Sequence, residues 1–292
     1  MISRDLDAIL LLDKPVGISS NGALQRAKRL FRAKKAGHTG SLDNLAEGLL
    51  PICFGEGTKL AGYLLESDKV YQTVAQLGIT TTTGDAEGEV LTEKAVPNLS
   101  IEQIKVVLNS FMGEQEQIPP MFAALKHAGQ PLYKLARKGI TIDREPRCIT
   151  IYDLQLLDFK NIFLTLRVSC SKGTYIRTLV EDIGAVLGCG AHVRQLRRMS
   201  VGKWDQMIDF QTLENTENID QFLLPLSNAL PQLPQLDLSE ENALRLQQGK
   251  IVTLENALPN GLIKVFQKSA FLGLGEIEEQ VLKVKRLFCR PC

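Results

Sequence analysis

The sequence has no uninterrupted run of 18 apolar residues, so no segment is a candidate for crossing a bilayer as a helix. Its opening, MISRDLDAILLLDKP, has no cationic leading region and places Asp5, Asp7 and Asp13 where the apolar core of a signal peptide would lie. A cytoplasmic location is expected, with no membrane partner. Cysteine is sparse: six thiols in 292 residues, at 53, 148, 170, 189, 289 and 292, are too scattered for a secreted disulfide scaffold. Cys189-x-x-His192 and Cys289-x-x-Cys292 carry zinc-ligand types, but 96 residues separate the pairs and no metal is expected. The histidines are only three, His38, His127 and His192, and Walker, G-x-S-x-G and H-E-x-x-H motifs are missing. Common phosphoryl-transfer, acyl-transfer and metalloprotease chemistries are thereby disfavoured.

What is present is a near-neutral globular composition, 34 Lys+Arg against 33 Asp+Glu with 44% hydrophobic residues. The net charge of +1 hides an asymmetry: residues 1–199 carry 25 basic and 21 acidic side chains, and residues 200–292 carry 9 and 12. Arg26, Lys28, Arg29, Arg32, Lys34 and Lys35 fall within ten residues without a carboxylate, and Arg194, Arg197, Arg198 and Lys203 form a second group. A polyanionic partner fits this clustering.

Ser19-Ser20-Asn21 offers helix caps, and Ala23, Leu24, Ala27, Leu30 and Phe31 recur at helical spacing with the basic residues on the opposite face. Alternation of Leu164, Leu166, Val168 and Cys170 with polar residues predicts a strand, and 70–77 and 149–159 read likewise. Ser100-x-x-Gln103 is a capping box opening a helix, and a second helix runs from about Tyr175 to Leu187 before Gly188. Strands outnumber helices and arrive in mixed order, which makes the fold class α+β. Residues 113–148, rich in Pro, Gly, Lys and Arg, read as an insertion. Prolines at 225, 231 and 234 mark a boundary, giving a main domain over 1–230 and a small β-rich module over 231–292.

The densest segment is Gly37-His38-Thr39-Gly40-Ser41-Leu42-Asp43. A lone carboxylate among apolar neighbours and glycines is costly to bury unless a cation meets it, and composition alone leaves a plain turn aspartate open. This segment resembles the catalytic motif of the bacterial TruB family of tRNA pseudouridine synthases, which form pseudouridine at uridine 55 in the T-loop. Four further blocks match in order. They are Leu12-Asp13-Lys14-Pro15-x-Gly17-x-Ser19-Ser20-Asn21, Ser67-Asp68-Lys69-x-Tyr71, 118–126 from Ile118 to Lys126, and 170–179 from Cys170 to Leu179, with the likeness continuing through Leu196-Arg197-Arg198.

The resemblance implies a mainly antiparallel mixed sheet, a C-terminal PUA-like module, tRNA as partner, no cofactor and a catalytic Asp43. It further implies that Arg177 pairs with that aspartate, Tyr71 stacks on a flipped base, His38 holds the flipped nucleotide, and Tyr175 and Leu196 line the pocket. Lys14 would be structural or phosphate-facing. Lys126, Arg137 and Arg144 would touch phosphates from an RNA-gripping insertion, and a monomer is expected.

The family commonly has Pro where this chain has Asn44 and often Thr where it has Glu47. If Asp43 opens a helical turn, Glu47 shares its face and repels it. The alternative function is then a tRNA-folding chaperone with a weakened site.

Overall fold

A computed structural model describes residues 3–254, 256 and 258–288. The chain runs through β1 (Ala8–Lys14), α1 (Ser20–Leu30), β2 (Ala36–His38), β3 (Ala46–Phe54), the short α2 (Ala61–Leu65) and β4 (Lys69–Leu77). A side hairpin of β5 (Ile79–Thr81) and β6 (Val90–Glu93) precedes α3 (Ile101–Ser110) and β7 (Gly113–Gln117). Next come a small hairpin, β8 (Lys126–His127) and β9 (Gln130–Pro131), then α4 (Leu132–Ala136) and the long strands β10 (Arg147–Lys160) and β11 (Phe163–Cys170). α5 (Ile176–Val186), β12 (Ala191–Val201), α6 (Phe210–Glu214) and β13 (Leu223–Leu224) complete the larger sheet and its cover.

That sheet has nine strands in the order β13-β1-β3-β12-β4-β11-β10-β7, with β2 added to β3. Its pairings are antiparallel except for one parallel contact of three residue pairs, Leu196–Ala46, Arg197–Glu47 and Arg198–Gly48, where β12 lies beside β3. The α+β class and the mixed, mainly antiparallel sheet therefore hold. β7 pairs with the start of β10, so 113–117 and 147–148 belong to the sheet edge and the loop-rich part of the expected insertion spans 118–146.

Local chemistry accounts for the covering helices. Ser19 caps α1 by accepting from the Gly22 amide at 3.0 Å, and Ala23, Leu24 and Ala27 turn inward onto the core. α3 carries both halves of the capping box between Ser100 and Gln103. α5 buries Ile176, Leu179, Val180 and Ile183. Each such burial contributes ~2 kcal/mol, several times what helix propensity offers per residue, so packing decides where this helix lies. The cationic face of α1 is partly neutralised within the fold: Arg26 pairs with Glu214 at 2.6 Å and its guanidinium stacks 4.2 Å above the Phe210 ring.

The C-terminal module orders β14 (Gln235–Asp237), α7 (Glu240–Gln247), β15 (Val252–Thr253), β16 (Gly261–Gln267), β17 (Ala270–Glu278) and β18 (Val281–Leu287) into a five-stranded sheet, β14-β16-β17-β18-β15. It has its own core around Leu246, Ile263, Val265 and Leu282. A further cluster joins Leu274 and Phe288 to Ile9, Cys53, Leu60 and Leu226 of the larger unit. Among the described residues no helix is long and apolar enough to cross a membrane.

The parallel contact depends on Gly48, whose φ of +101° is left-handed and whose absent Cβ would stand 2.3 Å from the Arg198 carbonyl oxygen. Gly48→Ala adds backbone strain of ~1–3 kcal/mol to that collision, so a loss of more than ~3 kcal/mol is expected in denaturant unfolding. A loss below ~1 kcal/mol would show that the junction yields.

Candidate active site

The Asp43 loop leaves β2, and three side-chain or backbone ties fix it before β3 begins. Ser20, the first residue of α1, accepts from the Leu42 amide at 2.7 Å and donates to the Leu42 carbonyl at 3.0 Å. The Ala46 amide closes a turn onto the Asp43 carbonyl at 3.1 Å, and the Gly17 amide donates to the Asn44 carbonyl at 2.8 Å. From the other side Arg198, only 1% exposed, donates to the Leu49 carbonyl at 2.7 Å and the Gly40 carbonyl at 2.9 Å. Leu42 is thereby buried, and Asp43 faces a cleft of about 560 Å³.

Arg177, on the first turn of α5, enters the cleft from below. Its Nε lies 3.0 Å from Asp43 Oδ2 and its Nη1 3.7 Å from Asp85 Oδ2. Nη1 also donates to the Thr83 carbonyl at 2.9 Å, and Nη2 to the Phe122 carbonyl at 2.7 Å. Asp85 is itself held by the Thr83 hydroxyl at 2.6 Å and the Glu87 amide at 3.1 Å. Burial pushes the Asp43 carboxyl above the ordinary aspartate range; Arg177 opposes this, Asp85 adds to it and Lys14 opposes it. The Asp43 side chain nevertheless keeps 43% of its surface open to the cleft. A base filling that space would remove the remaining water and deepen the effect.

The resemblance-derived residues converge here. His38, Asp43, Tyr71, Tyr175, Arg177 and Leu196 all line the one cleft. Tyr71 is buried on β4 beside Arg198, and desolvation raises its phenol. Burial, then the Arg198 guanidinium, lowers the His38 imidazole, which is therefore neutral near pH 7; its Nδ1 is buried without a hydrogen-bond partner.

Of the two readings of Lys14, the structure supports the structural one and corrects the phosphate-facing one. Lys14 has no exposed surface, and its ammonium donates to the Pro15 carbonyl at 2.9 Å and the Ile18 carbonyl at 2.8 Å, so it cannot reach a phosphate. Burial lowers its pKa to about 8, and its charge reaches Asp43 through the protein instead. Lys126 and Arg137 belong to the 118–146 segment and are exposed, Lys126 on β8 and Arg137 just after α4, while Arg144 donates to the Pro119 carbonyl at 3.2 Å.

The expected repulsion between Glu47 and Asp43 is also overturned. After the single turn at Asp43 the chain extends, placing Glu47 on β3 with its carboxylate 3.3 Å from Arg197. Three cleft or near-cleft groups carry no distinct signal in the sequence: Arg198 reads as one member of a basic cluster, Lys69 as one position of its block, and Asp85 belongs to no motif. Lys69 lines the cleft and donates to the Leu65 carbonyl at 2.8 Å and to the Ser67 carbonyl, and burial lowers it to about 8. No metal-ligand cluster occurs among the described residues; His192 faces the Ile79 carbonyl at 3.0 Å, and Cys289 and Cys292 lie outside them.

Comparison with known proteins places this chain in a lineage. Residues 28–176 match the family model described as TruB family pseudouridylate synthase, N-terminal domain. Residues 177–231 match the tRNA pseudouridylate synthase B C-terminal domain, and 234–288 match the model for pseudouridine synthase II TruB, C-terminal. The tRNA pseudouridine synthase B of Coxiella burnetii (strain RSA 493 / Nine Mile phase I) is 51% identical over 286 residues, covering 95% of this chain and 93% of the relative. That of Pseudomonas aeruginosa (strain UCBPP-PA14) is 51% identical over 287 residues, covering 95% and 94%. A chain from a structure of an H/ACA RNP bound to a substrate RNA containing 2′-deoxyuridine shares the fold, with a TM-score of 0.72 at 20% identity over 97% of this chain and 85% of that one. Consecutive domain models and relatives sharing half their residues over nearly the full length agree with the reading of the Asp43 motif: the chain belongs to the TruB family of pseudouridine synthases, which are isomerases.

Proposed function

We propose that this protein converts uridine to pseudouridine at position 55 in the T-loop of tRNA, and that Asp43 is the catalytic residue. The observation that carries this reading is the Arg177-anchored carboxylate of Asp43 facing a cleft large enough for one nucleoside.

The reaction is an isomerisation, so its balance needs no redox partner. The N1–C1′ bond breaks, the uracil turns, a C5–C1′ bond forms, the C5 hydrogen leaves as a proton and N1 gains one. Reaching C1′ requires the nucleotide to leave its stack, at ~2–4 kcal/mol, which contacts inside the cleft offset. Tyr71 supplies a ring face for the extruded base, Tyr175 and Leu196 flank it, and neutral His38 adds no charge against the RNA. Asp43 acts as the ionised carboxylate, and Arg177 fixes its direction. Lys126 and Arg137 meet the phosphate backbone from the 118–146 segment.

The chaperone reading loses its main support, because Glu47 faces Arg197 and not Asp43. Release of tritium from a tRNA transcript labelled at uridine C5 tests the enzyme reading directly. No release from wild-type protein on a transcript that it binds would favour the chaperone.

Asp43→Asn is expected to reduce that release below about one per cent of wild type while tRNA affinity stays within about threefold, since charge changes and volume does not. Because the carboxyl is raised and the reaction needs its ionised form, turnover should fall as pH drops through a value above the ordinary 3.8. A single-turnover profile flat down to about pH 4 would contradict this. The double variant Lys126→Ala/Arg137→Ala should weaken tRNA binding and flatten the salt dependence of log Kd by about two, one for each phosphate no longer neutralised. An unchanged slope would remove both residues from the interface.

A further inference from the structure

Arg197 lies between two residues of the cleft, Leu196 and Arg198, and strand alternation sends its side chain to the opposite face of the sheet. There its Nη2 meets Asp13 Oδ2, at the end of β1, at 2.6 Å, and its Nη1 meets Glu47 Oε1 of β3 at 3.3 Å. Met207 Sδ stands 3.4 Å from Nη2. All three charged side chains are only partly exposed, at 32%, 23% and 39%. One guanidinium therefore spans β1, β3 and β12.

The junction that it spans is short and irregular. β12 touches β3 through three residue pairs, one of them Arg197 with Glu47. Along its other edge β12 shifts register against β4 twice, between Val193 and Gln195 and between Arg198 and Ser200, on either side of these three residues. On the β3 side β12 has three pairs to hold its register, and its nine pairs with β4 are interrupted by bulges on both sides of them, so a slip of one residue at the β3 contact would turn Leu196 and Arg198 away from the cleft. Arg198 would then lose the Gly40 carbonyl that it holds in the Asp43 loop.

We propose that Arg197, clasped by Asp13 and Glu47, is a positioning residue that locks the β3–β12 register and so presents Leu196 and Arg198 to the reacting nucleotide. This rests on the proposed function for its kinetic consequence but not for its structural one. Where the family often has Thr, Glu47 supplies the second jaw of the clasp.

Full-length Arg197→Met, Arg197→Lys and Glu47→Gln proteins decide the matter through three readouts: single-turnover tritium release at saturating enzyme, tRNA Kd, and hydrogen exchange of the amides of 195–201. Arg197→Met should slow the saturated rate about tenfold or more with Kd within about threefold and faster exchange across 195–201, as expected when cleft groups are misplaced while the RNA-binding surface is kept. Arg197→Lys should recover the rate to within about threefold of wild type, and Glu47→Gln, which keeps the Asp13 pair, should fall between. A saturated rate for Arg197→Met within twofold of wild type overturns the proposal. So does an effect carried by Kd alone, which would make Arg197 an RNA-binding residue. Should Arg197→Met not fold, unchanged exchange and rate in Glu47→Gln overturn it instead. Wild-type protein that releases no tritium would sink the functional reading, while the exchange comparison would still decide the clasp.

Discussion

The Arg177 guanidinium is only 5% exposed, and a cation so far from water is tolerable only where its donors are met. Its partners arrive from three separate stretches: Asp43 from the loop before β3, Thr83 and Asp85 from the turn between β5 and β6, and Phe122 from the base of the 118–146 segment. None can shift without leaving part of a buried charge unpaired. The guanidinium thus gives the loops the rigidity that they do not have as loops, and it does so from α5, whose own position is set by packing. Burial makes Asp43 harder to ionise than an ordinary aspartate despite this partner; Asp85 adds to the effect and Lys14 offsets part of it.

The regular elements were legible because their causes are local. The Ser19 cap, the Ser100–Gln103 box and the alternation from 164 to 170 each specify backbone geometry within a few residues, and the corresponding elements lie within a residue or two of the expected bounds. The site was less legible. Asp43, Arg177 and Tyr71 stood out through likeness to a family, since a carboxylate between glycines is as consistent with a turn as with catalysis. Arg198 and Lys14 could not be assigned from sequence, because their roles depend on which carbonyls the fold brings near them. Leu49 and Gly40 are 149 and 158 positions from Arg198 in the chain.

Glu47 shows the same limit in reverse. A spacing of four residues implies proximity on a helix and separation on a strand, and the chain at 43–47 passes from a single turn into a strand. The glycine at 48 makes that change useful, since it lets β3 come against the β12 backbone directly after the Asp43 loop. Residues of one strand thereby serve two faces: Leu196 and Arg198 look into the cleft, and Arg197 ties the sheet from behind.

The apolar cluster that joins Ile9 and Cys53 to Leu274 and Phe288 brings together segments more than two hundred residues apart in the chain. On a ribosome, β1 and β3 precede Leu274 and Phe288 by more than two hundred residues, and until those are added this side of their sheet is covered in part, by Leu60 and Leu64 and later Leu226 of the same cluster. Contacts of such sequence separation form late and slowly, because a large loop entropy precedes any gain from burial. Through that interval an apolar sheet face around Ile9 and Cys53 is available to chaperones or to misplaced strands. The C-terminal module closes it.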